Sequence, residues 1–346
     1  LKRMEGKVVQ TLRLGAYQML FLTRIPHSGA VNSAVTLVKT HCKNPRAAGM
    51  VNGILRSMER SLQNMPFIPQ GDPVAYLSTL YSHPEWLVKE FILSLGEEET
   101  AQLLAADNSQ PPTAVMVNTT RTTVEALKAM LEADHVEAEP HPWLENCLLL
   151  SRTGDLERLE AFQQGLFYVQ DPASRLSVLA AGAKPGMRVL DCCAAPGGKS
   201  FAAAIAMENQ GEIVSCDLHP HKKKLIQAGA DRLGLSIITP KTADGKVFRP
   251  EWESAFDLVL VDAPCSGLGV IRKKPDIRYK DPAPLADLPA VQLDILRNAA
   301  RYVRPGGTLM YSTCTLLYQE NGEVVDTFLA ENKAYKAETF TLPGPV

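Results

Sequence analysis

Apolar positions recur at helical spacing from Leu1 to about Ser61: Val8, Leu12, Tyr17, Leu20 and Phe21, then Ala30 to Lys39, then Ala47 to Arg60. Breaks at Pro26-His27-Ser28-Gly29 and Asn44-Pro45 divide this stretch into helices and predict a small bundle. Pro66, Pro69, Gly71, Asp72 and Pro73 cluster like a linker, and a second helical stretch runs from about Pro84 to Ala105. Val115 to Asn118 reads as a strand, Thr123 to Ala133 as a helix and Cys147 to Leu150 as a strand, which predicts a small α+β module. After about Gly182 short apolar runs alternate with helices: Arg188 to Asp191, Glu212 to Asp217, Ser236 to Thr239, Asp257 to Asp262 and Thr308 to Ser312. That rhythm predicts an α/β fold with a parallel, doubly wound sheet, whose ligands sit at the carboxyl ends of the strands. Lys336 to Phe340 reads as one further strand. The expected boundaries are 1–65 for the bundle, 66–83 for a linker, 84–181 for the helical stretch and α+β module, and 182–346 for the sheet domain.

The 346 residues suit two or three domains at about 150 residues each. Apolar content of 45% and charged content of 21% are ordinary for a globular chain, and no apolar run approaches the ~20 residues that span a bilayer. A net charge of -2 leaves any nucleic-acid footprint local. His219-Pro220-His221-Lys222-Lys223-Lys224 is one candidate, and Arg272-Lys273-Lys274 with Arg278 and Lys280 another; either meets phosphates or is a solvated face. Seven cysteines without a CxxC pair argue against a disulfide framework and a structural zinc site, and suit a reducing cytoplasm. The chain begins at Leu1, and nothing there resembles a signal peptide.

The strand Val189-Leu190-Asp191 runs into Cys192-Cys193-Ala194-Ala195-Pro196-Gly197-Gly198-Lys199-Ser200 and an alanine-rich helix. Glycines at such a turn let a ligand approach the backbone. Asp217 closes the next strand 20 residues after Gly197, the spacing at which an acidic side chain takes a ribose diol in dinucleotide folds. The pair predicts nucleoside binding. Gly198-Lys199-Ser200 also matches the end of a P-loop, but its opening glycine would fall at Cys193, which removes part of the phosphate cradle. The G-x-G-x-x-G pattern of nicotinamide sites is not matched. Asp244 either faces an adenine or forms an Asp-Gly turn.

Asp262-Ala263-Pro264-Cys265-Ser266-Gly267 stands where an amino-group methyltransferase shows Asn or Asp, Pro-Pro and an aromatic, so a cysteine replaces the aromatic platform. Ser312-Thr313-Cys314-Thr315 follows the next strand and brings a second thiol to the same edge. Cys42, Cys147, Cys192, Cys193 and Cys216 read as small buried hydrophobes. Cys265 and Cys314 lie instead in strand-end turns, where a thiolate can be exposed and activated.

Asp191 to Lys199, Asp262 to Gly267 and Ser312 to Thr315 together resemble the RNA cytosine-5 methyltransferase family, which carries such a two-cysteine signature. Arg46-Ala47-Ala48-Gly49-Met50-Val51-Asn52-Gly53-Ile54-Leu55-Arg56 resembles the later part of a NusB-like domain. The two together point to the family's bacterial small-subunit (16S) ribosomal RNA methyltransferase B type. In that family an RRM-like module precedes the catalytic domain, and residues of about 107 to 165 look like it; the closing strand would fall beyond Val346.

The resemblance implies a Rossmann-like class I fold, S-adenosyl-L-methionine as cofactor and 16S ribosomal RNA as substrate. It implies that Cys314 attacks C6 of cytosine, that the residue matching Cys265 assists release, and that Asp262 contacts the base near N3. Cys193, Ala194, Ala195, Pro196, Gly197, Gly198 and Lys199 would line the methionine and ribose, with Asp217 on the ribose, Asp244 toward adenine and Asp262 beside the cofactor. Lys199 would also reach the active site, and Arg272, Lys273, Lys274 and the loop through Pro289 would hold RNA. Covalent addition suits the chemistry, because C5 of cytosine is too poor a nucleophile to take a methyl group directly. The target base must leave its stack, so a structured loop is the expected substrate. A monomer that needs neither metal nor membrane is expected. Two other readings stand beside this one: a nucleic-acid cytosine-5 methyltransferase with Cys265 as nucleophile, and a non-catalytic RNA-binding or ribosome-assembly factor.

Overall fold

The computed structural model describes residues 4–64 and 67–344, and the chain divides into two compact units, 1–71 and 72–346. In the first, the helices α1 (Gly6–Phe21), α2 (His27–His41) and α3 (Ala47–Arg60) break where Pro26 and Asn44-Pro45 interrupt the pattern. Their apolar faces meet in a core of Val8, Leu12, Met19, Val31, Val38, Val51 and Leu55.

The second unit opens where a linker was expected. Pro73–Tyr81 is a helix, α4, because Asp72 accepts a hydrogen bond from the Val74 amide at 3.0 Å and Pro73 occupies the first helical position. The helical stretch that follows is two helices, α5 (Glu85–Leu95) and α6 (Glu97–Asp107), parted at Gly96. Leu77, Leu87, Val88, Phe91 and Leu104 of these helices enclose Leu268 and Ile271, so α4–α6 hold down the segment just after Cys265.

Next come β1 (Thr113–Val117), α7 (Val124–Ala133), β2 (Glu137–Pro140), β3 (Cys147–Ser151), α8 (Glu160–Gln163) and β4 (Phe167–Val169). Their sheet is antiparallel with order β2-β3-β1-β4, a split βαβ arrangement. Strand residues alternate between faces. Val115, Val117, Leu148, Leu150 and Phe167 pack on Leu127 and Leu131 of α7. Ala114, Met116, Cys147 and Tyr168 face the other way and join the core of the following domain, with Tyr168 edge-on to Phe201 at 6.0 Å. The sheet face on which an RRM stacks bases is therefore covered here.

The remaining elements are α9 (Pro172–Ala181), β5 (Arg188–Asp191), α10 (Gly198–Ala206), β6 (Glu212–Asp217), α11 (Pro220–Leu233), β7 (Ile238–Thr242), β8 (Phe256–Asp262), α12 (Leu288–Ala300), β9 (Val303–Ser312) and α13 (Gly322–Glu331). The expected boundary at 181/182 differs from the packing, because Leu176 and Val178 of α9 belong to the core of the large sheet. That sheet is wholly parallel, in the order β7-β6-β5-β8-β9. Val189, Ile213, Leu258 and Leu260 face α9–α11, while Leu190, Val214, Val259 and Val261 face α12 and α13. Both faces are thus buried, which is why these strands read as continuous apolar runs. The chain winds outward from β5 through β7 and then resumes on the other side at β8. That reversal opens a crevice at the carboxyl ends of β5 and β8.

The third strand lies at Ile238–Thr242 instead of 236–239, since the Ser236 hydroxyl accepts from Asn209 and the pairing runs from Ile213↔Ile238 to Asp217↔Thr242. Residues 336–340 form no strand: among the described residues β9 pairs only with β8, and Lys336 and Glu338 pair with each other at 3.3 Å on the surface. No described helix is long and apolar enough to cross a membrane.

Candidate active site

Four adjacent strands deliver polar residues to one edge: Asp217 from β6, Asp191 from β5, Asp262 from β8 and Ser312 from β9, with Asp262 directly opposite Ser312. From β5 the chain turns through Cys192 to Gly197 into α10. Gly197 takes φ 119°, and a Cβ there would come within 2.3 Å of the Phe201 ring, so only glycine lets the turn close onto its helix. Beneath it, buried Asp191 accepts from Ser200 Oγ at 2.7 Å, and Ser200 Oγ lies 2.7 Å from Ser215 Oγ of β6. Burial pushes the Asp191 carboxyl up to about 7. This cluster ties the turn to both strands below it. Ser200, which the sequence offered only as the end of a P-loop-like motif, serves here to tie the turn to the strands, and Ser215 carries no motif signal.

Asp217 is 7% exposed; its Oδ1 accepts from the His219 amide at 3.1 Å and lies 3.6 Å from Lys222 Nζ. Asp244 accepts from the Lys246 amide at 2.9 Å, which makes the Asp-Gly turn one of its roles.

Across the crevice, Lys199 at the start of α10 reaches Asp262 at the end of β8, Nζ to Oδ2 2.7 Å. Lys199 is 8% exposed, whereas Asp262 is 34% exposed and takes the Ser312 hydroxyl at 3.0 Å on its other oxygen. The sulfurs of Cys265 and Cys314 stand 2.9 Å apart, well outside the roughly 2.05 Å of a disulfide. Cys314 is exposed and Cys265 half-buried. Gly269 permits the approach of the two loops: its amide donates to the Cys314 carbonyl at 2.9 Å, and a Cβ would sit only 3.0 Å from that oxygen.

The thiols separate electrostatically. Burial raises Cys147, Cys192, Cys193 and Cys216. Cys314 alone is lowered, to about 7, first by the hydrogen bond from Cys265 and also by the Lys199 charge, while Cys265 is raised as the donor of that bond. The Cys314 amide, donating to Cys265 Sγ at 3.2 Å, pulls the other way. The balance favours the thiolate on Cys314, chiefly through the hydrogen bond from Cys265 and its greater exposure, since burial and the Asp262 charge oppose it and the Lys199 charge offsets them only in part.

The basic candidates fare differently. Arg272 donates to the Gln110 carbonyl at 3.0 Å and Lys273 pairs with Asp171, while Lys274 is exposed and makes no ion pair among the described residues. Arg278, expected at phosphates, is 5% exposed and donates to the Ser82 carbonyl and to Asn108 at 3.2 and 2.9 Å. Lys280 donates to the Ser266 carbonyl at 2.6 Å, behind Cys265. Chain carbonyls thus take three of these cations, Arg272, Arg278 and Lys280, and only Arg278 is buried.

A parallel sheet in the order β7-β6-β5-β8-β9, with a glycine turn after β5 and an acid closing β6, is a Rossmann-like sheet of the kind that class I methyltransferases share with dinucleotide-binding proteins. A crystal structure of PH0851 superposes with a TM-score of 0.78 over 94% of this chain and 73% of that one, at 27% identity. NSun6 from Pyrococcus horikoshii with SFG shares the fold over 73% of this chain and 88% of its own, at a TM-score of 0.65 and 20% identity. Family models match residues 178–346 (16S rRNA methyltransferase RsmB/F), 83–157 (the RsmF/B-like ferredoxin-like domain) and 1–60 (the NusB family). The probable ribosomal RNA small subunit methyltransferase B of Bacillus subtilis is 42% identical over 334 residues, 96% of this chain and 74% of that protein. The Vibrio cholerae ribosomal RNA small subunit methyltransferase B is 33% identical over 91% of this chain and 71% of its own. The chain belongs to this RsmB/F family of RNA methyltransferases.

Proposed function

We propose that the protein transfers a methyl group from S-adenosyl-L-methionine to C5 of a cytosine in 16S ribosomal RNA, through a covalent bond between Cys314 and C6 of the base. The observation that carries this reading is the pair of sulfurs at 2.9 Å beside the Lys199–Asp262 pair, with Cys314 the exposed and more acidic thiol. The relatives' names supply the substrate class, and the seven free thiols suit a reducing cytoplasm.

The residues present fit the cofactor. Buried Asp191 keeps one oxygen unpartnered under the Gly197 turn, the turn closes tightly onto α10, and Asp217 offers a carboxylate one strand away for a ribose diol. Cys193 to Lys199 would hold the methionine and ribose side, Asp262 would border it, and Asp244 would face the adenine. When bound, S-adenosylmethionine supplies an electrophilic methyl group. Gly197→Ala adds backbone strain of about 1–3 kcal/mol and a clash with Phe201. Its cofactor affinity, measured by calorimetry, is expected to fall by about tenfold or more.

Asp262, 2.7 Å from Lys199 Nζ, would contact the flipped base near N3, and a proton brought to N3 through this pair would draw electrons from the ring. The Cys314 thiolate then adds at C6, and the displaced electron pair makes C5 nucleophilic. After methylation the C5 proton would pass to water, its electron pair would restore the C5–C6 double bond and break the C6–S bond, and the released Cys314 thiolate would take the hydrogen bond that Cys265 donates. Lys274 and the loop through Pro289 would meet the RNA backbone, with Arg272 and Lys273 contributing only on giving up their present partners.

Activity should follow the Cys314 proton. Below its value of about 7 the thiol is neutral, so kcat/KM is expected to rise about tenfold per pH unit there and to level off above it. In Cys265→Ala the donor that lowers Cys314 is gone, and the midpoint should move up. A profile flat across neutral pH contradicts this. The function itself is tested by bisulfite mapping of unmodified 16S ribosomal RNA after reaction with the purified full chain. One protected cytosine supports the reading; cofactor binding without transfer moves the protein to the assembly-factor reading.

A further inference from the structure

Between the last strand and α13 the chain presents a buried acid followed by an amide, Glu320-Asn321, outside every motif used so far. Glu320 is 1% exposed. Its Oε2 accepts from the Ser266 amide at 2.9 Å and from Gln292 Nε2 at 2.8 Å, and Gln292 Nε2 donates as well to the Pro264 carbonyl at 3.0 Å. The segment that carries Cys265 is thus clasped on both flanks of the thiol. Asn321 grips the other segment: its Oδ1 accepts from Thr313 Oγ1 at 2.6 Å, and its Nδ2 donates to the Thr315 carbonyl at 3.1 Å and to Leu317 at 3.0 Å. Those contacts flank Cys314. Tyr311 of β9 donates to the Glu320 carbonyl at 2.7 Å, and Ser266 Oγ donates to Thr315 Oγ1 at 2.8 Å, closing the frame.

A stability role alone accounts poorly for these choices. Asn321 is the N-cap of α13, yet its side chain makes no capping bond and turns to the thiol segment instead. Glu320 Oε1 and Gln292 Oε1 are buried without partners, a cost that an apolar core would avoid. Local rules broken at adjacent positions beside reactive groups mark a functional constraint.

We propose that Glu320 and Asn321 are positioning residues that brace the two cysteine loops against each other and set the spacing of Cys265 and Cys314. Glu320 acts through the Ser266 amide and the Pro264–Gln292 contact; Asn321 acts through the residues on either side of Cys314. The inference rests on the two-thiol reading given above.

The test uses the full chain and four proteins: wild type, Glu320→Ala, Glu320→Gln and Asn321→Ser, the last keeping a good capping residue so that the helix survives. Three properties are read: kcat and KM on 16S ribosomal RNA, thermal stability, and the pH profile of Cys314 alkylation by iodoacetamide, followed by peptide mass spectrometry. Glu320→Ala and Asn321→Ser are expected to lower kcat about 10- to 100-fold with little change in KM, and to move the alkylation midpoint upward toward an ordinary thiol. Glu320→Gln retains an oxygen that accepts from Ser266 and should recover most of both. The proposal is overturned if Glu320→Ala and Asn321→Ser lose stability but keep the wild-type alkylation profile and kcat. It is overturned equally if Glu320→Gln is as impaired as Glu320→Ala, since charge and not placement would then matter. Should Glu320→Ala not fold, Asn321→Ser decides alone. Wild-type protein that forms no adduct with 5-fluorocytosine RNA would sink the two-thiol reading instead, so the two failures are distinguishable.

Discussion

Cys314→Ala is expected to lower methyl transfer to 16S ribosomal RNA by about four orders of magnitude or more, with cofactor affinity unchanged. The size follows from the chemistry: without addition at C6, C5 of cytosine has no route to sufficient nucleophilicity, and neither the cofactor turn nor the Lys199–Asp262 pair supplies one. The selectivity follows from placement. Cys314 lies at the end of β9, two strands from β5 in the sheet order, whereas the residues proposed to hold the cofactor cluster at β5 and β6. Calorimetry with S-adenosylmethionine and a labelled-methyl assay read the two properties separately. Loss of cofactor binding together with transfer would mean that Cys314 serves the fold or the cofactor site.

The second large effect is expected at the Lys199–Asp262 pair. Asp262→Asn and Lys199→Met should each lower kcat by about 10²- to 10⁴-fold, the range of a positioned proton-handling group. Each change also disturbs its neighbours. Asn in place of Asp262 leaves a lysine ammonium only 8% exposed without its counter-charge, 2.7 Å from a neutral amide. Met in place of Lys199 removes a cation that lowers the Cys314 thiol, so its pH–rate midpoint should rise while that of the fold's thermal transition need not. Because the two side chains touch, the double variant should cost clearly less than the product of the singles. Multiplicative losses would show that the two act independently.

The large sheet was legible in the sequence because a doubly covered strand shows an apolar run ending in a polar residue, as Phe256–Asp262 and Glu212–Asp217 do. Strands that are very short or bury little were not. Glu137–Pro140 buries only Ala138, and Phe167–Val169, though Phe167 and Tyr168 are buried, is too short to show a period; β3 and β1 offer them partners. The converse error, a strand over 336–340, came from local propensity where no partner strand stands alongside. The site divides the same way. Chemically distinctive residues in strand-end turns, Lys199, Asp262, Cys265 and Cys314, converge in space, whereas Glu320 and Asn321 carry no signature in sequence and show themselves only by what they grip. Arg278 is the clearest inversion: a cation in a basic stretch is read as surface, yet backbone carbonyls and Asn108 compensate its burial.

The claim on which all of this turns is that the sulfur bonded to the base is that of Cys314. The direct measurement is denaturing gel analysis and peptide mass spectrometry of complexes formed on 16S ribosomal RNA carrying 5-fluorocytosine, whose C5 fluorine blocks release after methyl transfer. Wild type and Cys265→Ala are expected to yield a methylated pyrimidine linked to the peptide containing Cys314, with Cys314→Ala yielding none. An adduct on Cys265 that persists in Cys314→Ala and vanishes in Cys265→Ala would contradict the account.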